Sequence, residues 1–113
     1  MRVRYDSMIE NDFKAACLLS ELKPGVPRTI ELDDHFVVLV SLEDGVYCID
    51  DVCTHDGGTL GDGEVDDHCL VCPRHGAKFD IRTGAAITMP ATEATASHEV
   101  KIVDGTVYIK INE

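Results

Sequence analysis

Two short stretches of the chain carry residue types that bind metals. The first is Asp51-Val52-Cys53-Thr54-His55-Asp56-Gly57-Gly58, and the second is Leu70-Val71-Cys72-Pro73-Arg74-His75-Gly76-Ala77. Each offers one thiol and one imidazole, spaced Cys-x-His and then Cys-x-x-His, with sixteen residues between His55 and Cys72. Thiolate sulfur and imidazole nitrogen in two matched pairs point to a metal centre rather than to scattered polar residues. Glycines follow each pair closely. Lacking a Cβ, Gly57, Gly58 and Gly76 let backbone amides approach a sulfur, where hydrogen bonds stabilise a cluster and tune its potential. The residues by themselves leave the metal open between an iron–sulfur cluster and zinc. Zinc accepts two Cys and two His, but zinc fingers pair their cysteines and then their histidines, whereas each half here is mixed.

The rest of the chain must bring these stretches together. Its 113 residues make one domain by size, and a chain this short buries a modest core, so a bound metal would contribute to folding. Residues 1–12 show no periodicity and are expected to form a flexible arm, with residues 13–113 as the domain and 51–91 as its metal-binding part. The apolar stretch 13–19 is ambiguous between a strand and a helical turn. Val26, Arg28, Ile30 and Leu32 alternate, with Thr29 and Glu31 between, which predicts a strand, and Asp33-Asp34 turns the chain into residues 35–42. There Phe36-Val37-Val38-Leu39-Val40 runs unbroken, which predicts a central strand buried on both faces.

Glu43-Asp44-Gly45 makes another turn, and the strand after it delivers the chain to Cys53. Residues 59–67 hold only short apolar pieces. Cys69-Leu70-Val71 enters the second ligand pair and residues 77–81 leave it, while Met89-Pro90-Ala91 reads as a loop. The clearest hairpin closes the chain, with Asp104-Gly105 between alternating strands. Strands recur every eight to twelve residues and nothing sustains a helical period. The class is all-β, a small sandwich or barrel of antiparallel strands with a metal-binding part formed by two hairpin loops.

A net charge of −11 opposes binding to nucleic acid or to anionic membrane surfaces and suits docking onto a basic partner. Five cysteines are an odd number, and residues 1–12 resemble no export signal, so a secreted disulfide framework is not expected. No apolar run is long enough to span a bilayer. The expectation is a soluble cytoplasmic protein, monomeric by default. Cys17, Cys48 and Cys69 read as small core hydrophobes, and His35, His68 and His98 as surface or turn residues. The acid pairs Asp33-Asp34, Asp50-Asp51 and Asp66-Asp67 read as turn residues bonding nearby backbone.

Cys53-Thr54-His55 followed by Cys72-Pro73-Arg74-His75-Gly76 resembles the cluster-binding signature of the Rieske family. The resemblance covers the chain from about Phe13 onward, and Pro90 stands where the family has a proline loop over its cluster. It implies a 2Fe–2S cluster with Cys53 and Cys72 on one iron and His55 and His75 on the other. Neutral imidazoles in place of anionic thiolates raise the potential above that of an all-Cys ferredoxin. High-potential members add a cysteine to each loop, joined in a disulfide, where this chain has Gly58 and Arg74. They also carry a serine and a tyrosine that donate to sulfur, where this chain has Ala77 and Phe79, so a low potential is implied. Leu60, Pro73 and Pro90 are candidates for apolar cover.

The implied function is that of a soluble Rieske-type ferredoxin. Such a protein is a one-electron carrier and not an enzyme by itself, passing electrons from a flavin-dependent reductase to a terminal ring-hydroxylating oxygenase. An oxygenase subunit would need a second iron site and a longer chain. Two other readings stand beside it. One is a Rieske-like accessory or redox-sensing protein linked to iron–sulfur metabolism, and the other is a zinc-stabilised interaction module.

Overall fold

The strand with the longest apolar run carries both halves of the core. In the computed structural model, which describes residues 13–32, 34–54, 57–89, 91 and 93–112, this is β3 (His35–Leu42). The arm expected over residues 1–12 lies outside the described residues, as do His55 and Pro90. Successive side chains of a strand point to opposite faces. Val38 and Val40 therefore enter one apolar cluster with Ile49, Leu70, Phe79 and Ile81, while Val37 and Leu39 enter a second with Cys48, Val107 and Ile109. All four β3 residues are fully buried, as a central strand requires. Phe36 departs from the expected run and is 52% exposed, because it lies one residue pair from the β2–β3 turn, outside both clusters.

The other strands are β1 (Lys14–Leu18), β2 (Arg28–Leu32), β4 (Gly45–Asp50), β5 (Glu64–Asp66), β6 (Cys69–Val71), β7 (Lys78–Asp80), β8 (Ser97–Val103) and β9 (Thr106–Lys110). Six of them form an antiparallel sheet in the order β1-β9-β8-β4-β3-β2, and its outer strands β1 and β2 approach each other, so that it curls into a nearly closed barrel. Strands β5-β6-β7 make a second, three-stranded sheet. The ambiguous stretch near residue 13 contains both of its alternatives, strand β1 and then a single 3-10 turn over Leu19–Glu21. The Glu21 carboxylate accepts the Leu18 amide at 2.9 Å and caps that turn. In the closing hairpin Asp104 and Gly105 have φ of 51° and 80°, the left-handed pair that a tight two-residue turn needs.

Strand β5 lies in the stretch that sequence pattern left without an element. Val65 is its one apolar residue, so it has no alternation of its own and exists by pairing with β6. Of the two ligand stretches, the second caps the β6–β7 hairpin, whereas the first connects β4 to β5 and crosses from the large sheet to the small one. The two-sheet arrangement thus brings a cysteine of each stretch, Cys53 and Cys72, into the cluster that contains Val38 and Val40.

The core makes two testable statements. Leu39→Ala should lower unfolding free energy by about 3 kcal/mol in urea denaturation, with an unchanged slope. Cys48 is 2% exposed, and burial, followed by the Asp50 carboxylate, pushes its thiol well above the ordinary value of 9.0. A group whose folded value is raised contributes stability that is lost as pH climbs past its unfolded value. Stability should therefore decline above about pH 9, and the decline should be smaller in Cys48→Ala.

Candidate metal centre

The two ligand stretches fold into the same turn. In the first, the Gly57 amide donates to the Cys53 carbonyl at 2.7 Å and the Cys53 amide to the Gly58 carbonyl at 2.8 Å. In the second, the Gly76 amide donates to the Cys72 carbonyl at 3.0 Å and the Cys72 amide to the Ala77 carbonyl at 2.8 Å. Gly57 and Gly76 sit at equivalent places with φ of 75° and 79°, a backbone region that side chains with a Cβ adopt at a cost. Their amides are therefore engaged with the carbonyls of the cysteines.

Each turn buries its cysteine. Cys53 and Cys72 are 0% and 1% exposed and belong to the same apolar cluster as Leu60, Ala77 and Phe79, which are fully buried. Pro73, His75 and Gly76 are exposed, so the second turn presents its thiol inward and its imidazole-bearing segment outward. His55 falls outside the described residues, and the same is true of Pro90. On either side of Pro90, Met89 is 73% exposed and Ala91 is buried in the cysteine cluster, so this third loop packs beside the other two. The Thr54 hydroxyl donates to the Glu93 carbonyl at 2.6 Å and ties the first turn to it.

Several residues that brace the site were read from sequence as plain turn or surface positions. Asp51 is 6% exposed, and its Oδ1 accepts the amides of Leu60 and Gly61, both at 2.7 Å. The acid does bond backbone, but nine and ten residues away rather than locally, which closes the first loop from below. His98 is corrected from surface to core, because its side chain is wholly buried where β8 pairs with β4. The Asn112 amide donates to His98 Nδ1 at 3.0 Å, so Nε2 carries the proton and donates to Asp50 Oδ1 at 2.7 Å. His35 Nε2 reaches the same oxygen at 2.6 Å. A metal ion on His98 Nε2 would need that proton removed while Nδ1 still faces an N–H donor. The trio of His35, Asp50 and His98 is thus a hydrogen-bonded brace across β3, β4 and β8. The available sequence signal was weak, an acid pair ending a strand two residues before a ligand.

Cys48 is a core thiol as expected, whereas Cys17 and Cys69 are half-buried, their thiols also raised chiefly by burial. Among the described residues no buried side-chain nitrogen or oxygen lacks a partner. No helix among them is long and apolar enough to cross a membrane.

Twin turns in an all-β domain, burying their two cysteines in one apolar cluster, are the frame of a small protein that carries a metal centre. The model of the Rieske [2Fe-2S] domain family matches residues 12–102, and the chain belongs to that family. It is 33% identical, over 86% of its length and 92% of the relative's, to the 3-phenylpropionate/cinnamic acid dioxygenase ferredoxin subunit of Photorhabdus laumondii. Its fold is similar to that of the ferredoxin of carbazole 1,9a-dioxygenase from Nocardioides aromaticivorans, with a TM-score of 0.86 and 28% identity over 90% of this chain and all of that one. A structure of reduced oxygenase with oxidized ferredoxin from a carbazole 1,9a-dioxygenase matches with a TM-score of 0.83 and 28% identity, over 90% of this chain and 98% of that one.

The cofactor is accordingly one Rieske-type 2Fe–2S cluster, and the protein is an electron-transfer component rather than a catalyst. The donors present suit that group: two cysteines are buried in one apolar cluster, which favours soft sulfur–iron bonding, and the imidazole of His75 belongs to an exposed residue. Asp51→Ala should leave the Leu60 and Gly61 amides without their acceptor. The expected cost is about 2–3 kcal/mol in thermal or urea unfolding, with a lower yield of cluster-loaded protein by iron analysis.

Proposed function

We propose that this protein is the ferredoxin component of an oxygenase system. In this reading it takes one electron from a flavin-dependent reductase and delivers it to a terminal, ring-hydroxylating oxygenase. Cys53 and Cys72 hold one iron and His55 and His75 the other, within a single domain of residues 13–113 whose cluster-holding part spans about 51–91. It works as a monomer in the cytoplasm, and the three cysteines outside the ligand set, Cys17, Cys48 and Cys69, form no disulfide. The observation that carries the proposal is the pair of equivalent turns that bury Cys53 and Cys72 together while leaving His75 exposed.

When bound, the cluster supplies a site that gains and loses one electron. The chain provides the asymmetry that makes such a site useful. Apolar packing by Leu60, Ala77 and Phe79 keeps water from the thiol side. Exposure of His75 places the other side where a partner protein can touch it. The partner reading is supported by the complex of oxygenase and ferredoxin in the carbazole system and by the ferredoxin subunits among the relatives. A charge of −11 favours fast encounter with basic docking surfaces and makes that encounter sensitive to salt.

Ala77 and Phe79 are fully buried beside the cysteines and carry no hydroxyl, so neither side chain donates to sulfur. Without those donors the reduced form is less stabilised, and the midpoint should lie near the low end of the Rieske range, roughly −150 mV. Protein-film voltammetry measures this, and a midpoint well above zero at neutral pH would refute it. Electron paramagnetic resonance of the reduced protein tests the ligand set. Mixed Cys/His ligation is expected, while a spectrum of the all-Cys type, or a colourless zinc protein, would sink the proposal.

A further inference from the structure

We infer that Arg74 is a positioning residue that clasps the two cluster loops together. The inference rests on the proposed ligand set, since Arg74 lies between Cys72 and His75. Its Nη2 donates to the Thr59 carbonyl at 2.8 Å, so a side chain of the second loop holds the backbone that leaves the first. The guanidinium also lies directly on Gly58. A Cβ built there would come within 2.7 Å of Nε, Cζ and Nη2. Real Cβ atoms do not approach that closely, so the glycine is the space that the guanidinium occupies.

Gly58 is no incidental neighbour, because its carbonyl accepts the Cys53 amide and closes the first turn. Arg74 thus touches the residue that shapes the Cys53 turn and bonds the next one. Displacing it frees the second loop to shift against the first, changing the distance between the segments that carry the two ligand pairs. The planar, forked guanidinium is required for this. A lysine ammonium keeps the charge but can neither lie flat on Gly58 nor hold a fixed direction toward Thr59.

The test uses the cluster-loaded full chain with Arg74→Ala, Arg74→Lys, Gly58→Ala and the Gly58→Ala/Arg74→Ala double variant. The readouts are the rate of cluster loss to an iron chelator and the midpoint potential. Each single variant should lose its cluster about fivefold faster than the parent, the scale of one lost hydrogen bond. The double variant should lose it no faster than Arg74→Ala, since the glycine matters only while the guanidinium is there. Arg74→Lys should keep the parental midpoint, whereas Arg74→Ala should lower it by loss of a nearby cation. If Arg74→Lys holds its cluster as long as the parent, charge alone is at work and the clasp is overturned. Additive effects in the double variant overturn it equally. Should Arg74→Ala fail to fold, Arg74→Lys and Gly58→Ala decide the matter by themselves. A parent without the mixed-ligand resonance signal refutes the ligand set, while a parent with that signal and variants with unchanged loss rates refute only the clasp.

Discussion

Burial of Cys53 and Cys72 in one apolar cluster is the constraint on which the rest of the structure depends. Loops ordinarily run over the surface, and a thiol on a loop is ordinarily wet. Here the large sheet contributes Val38, Val40 and Ile49 to the pocket and the small sheet contributes Leu70 and Phe79, so the wall behind the cysteines is the interface between the sheets. Three strands of three residues each are too short to stand alone. The small sheet owes its order to this interface, and a bound cluster would stabilise the same contacts from the other side.

Around that pocket the loops are held by hydrogen bonds that come from distant parts of the chain. Asp51 closes the first loop from below, Thr54 joins it to the third loop, and the Asp50 carboxylate gathers two histidines beneath the strand that leads to Cys53. A disulfide between the loops would contribute about 2–4 kcal/mol, against about 1 kcal/mol for a typical hydrogen bond. Several such bonds reach a similar total and do not depend on an oxidising compartment. Arg74 on Gly58 occupies the place where the family's high-potential members carry that disulfide, which makes it the natural member of this set to compare with a covalent bridge.

The electron-transfer role follows from the asymmetry of the site. Its thiol side is dry and lined by side chains without hydroxyls, while its imidazole side faces solvent at His75. In the proposed reading the first condition would lower the potential, and the second would open a short route to a docked protein. Acidic charge over the whole chain speeds encounter without fixing which partner is met.

Two mixed pairs of thiol and imidazole, the all-β class, the β3 core strand and the closing hairpin were legible in the sequence, and the structure bears out the last three. Each is written in residue type and short-range spacing: thiol and imidazole chemistry, alternation with a period of two, and Asp-Gly at a left-handed turn. Short-range pattern left β5 invisible, because Val65 alone makes no alternation and its order comes from a neighbour. It also misplaced His98, which is polar enough to suggest the surface until β4 brings Asp50 to its ring. The equivalence of the two turns, the reach of Asp51 to residues 60 and 61, and the seat of Arg74 on Gly58 were decided by tertiary structure alone. The turns close locally on a glycine four residues after each cysteine, but the other two features join groups many bonds apart along the chain, and such contacts exist only after the loops have folded against each other.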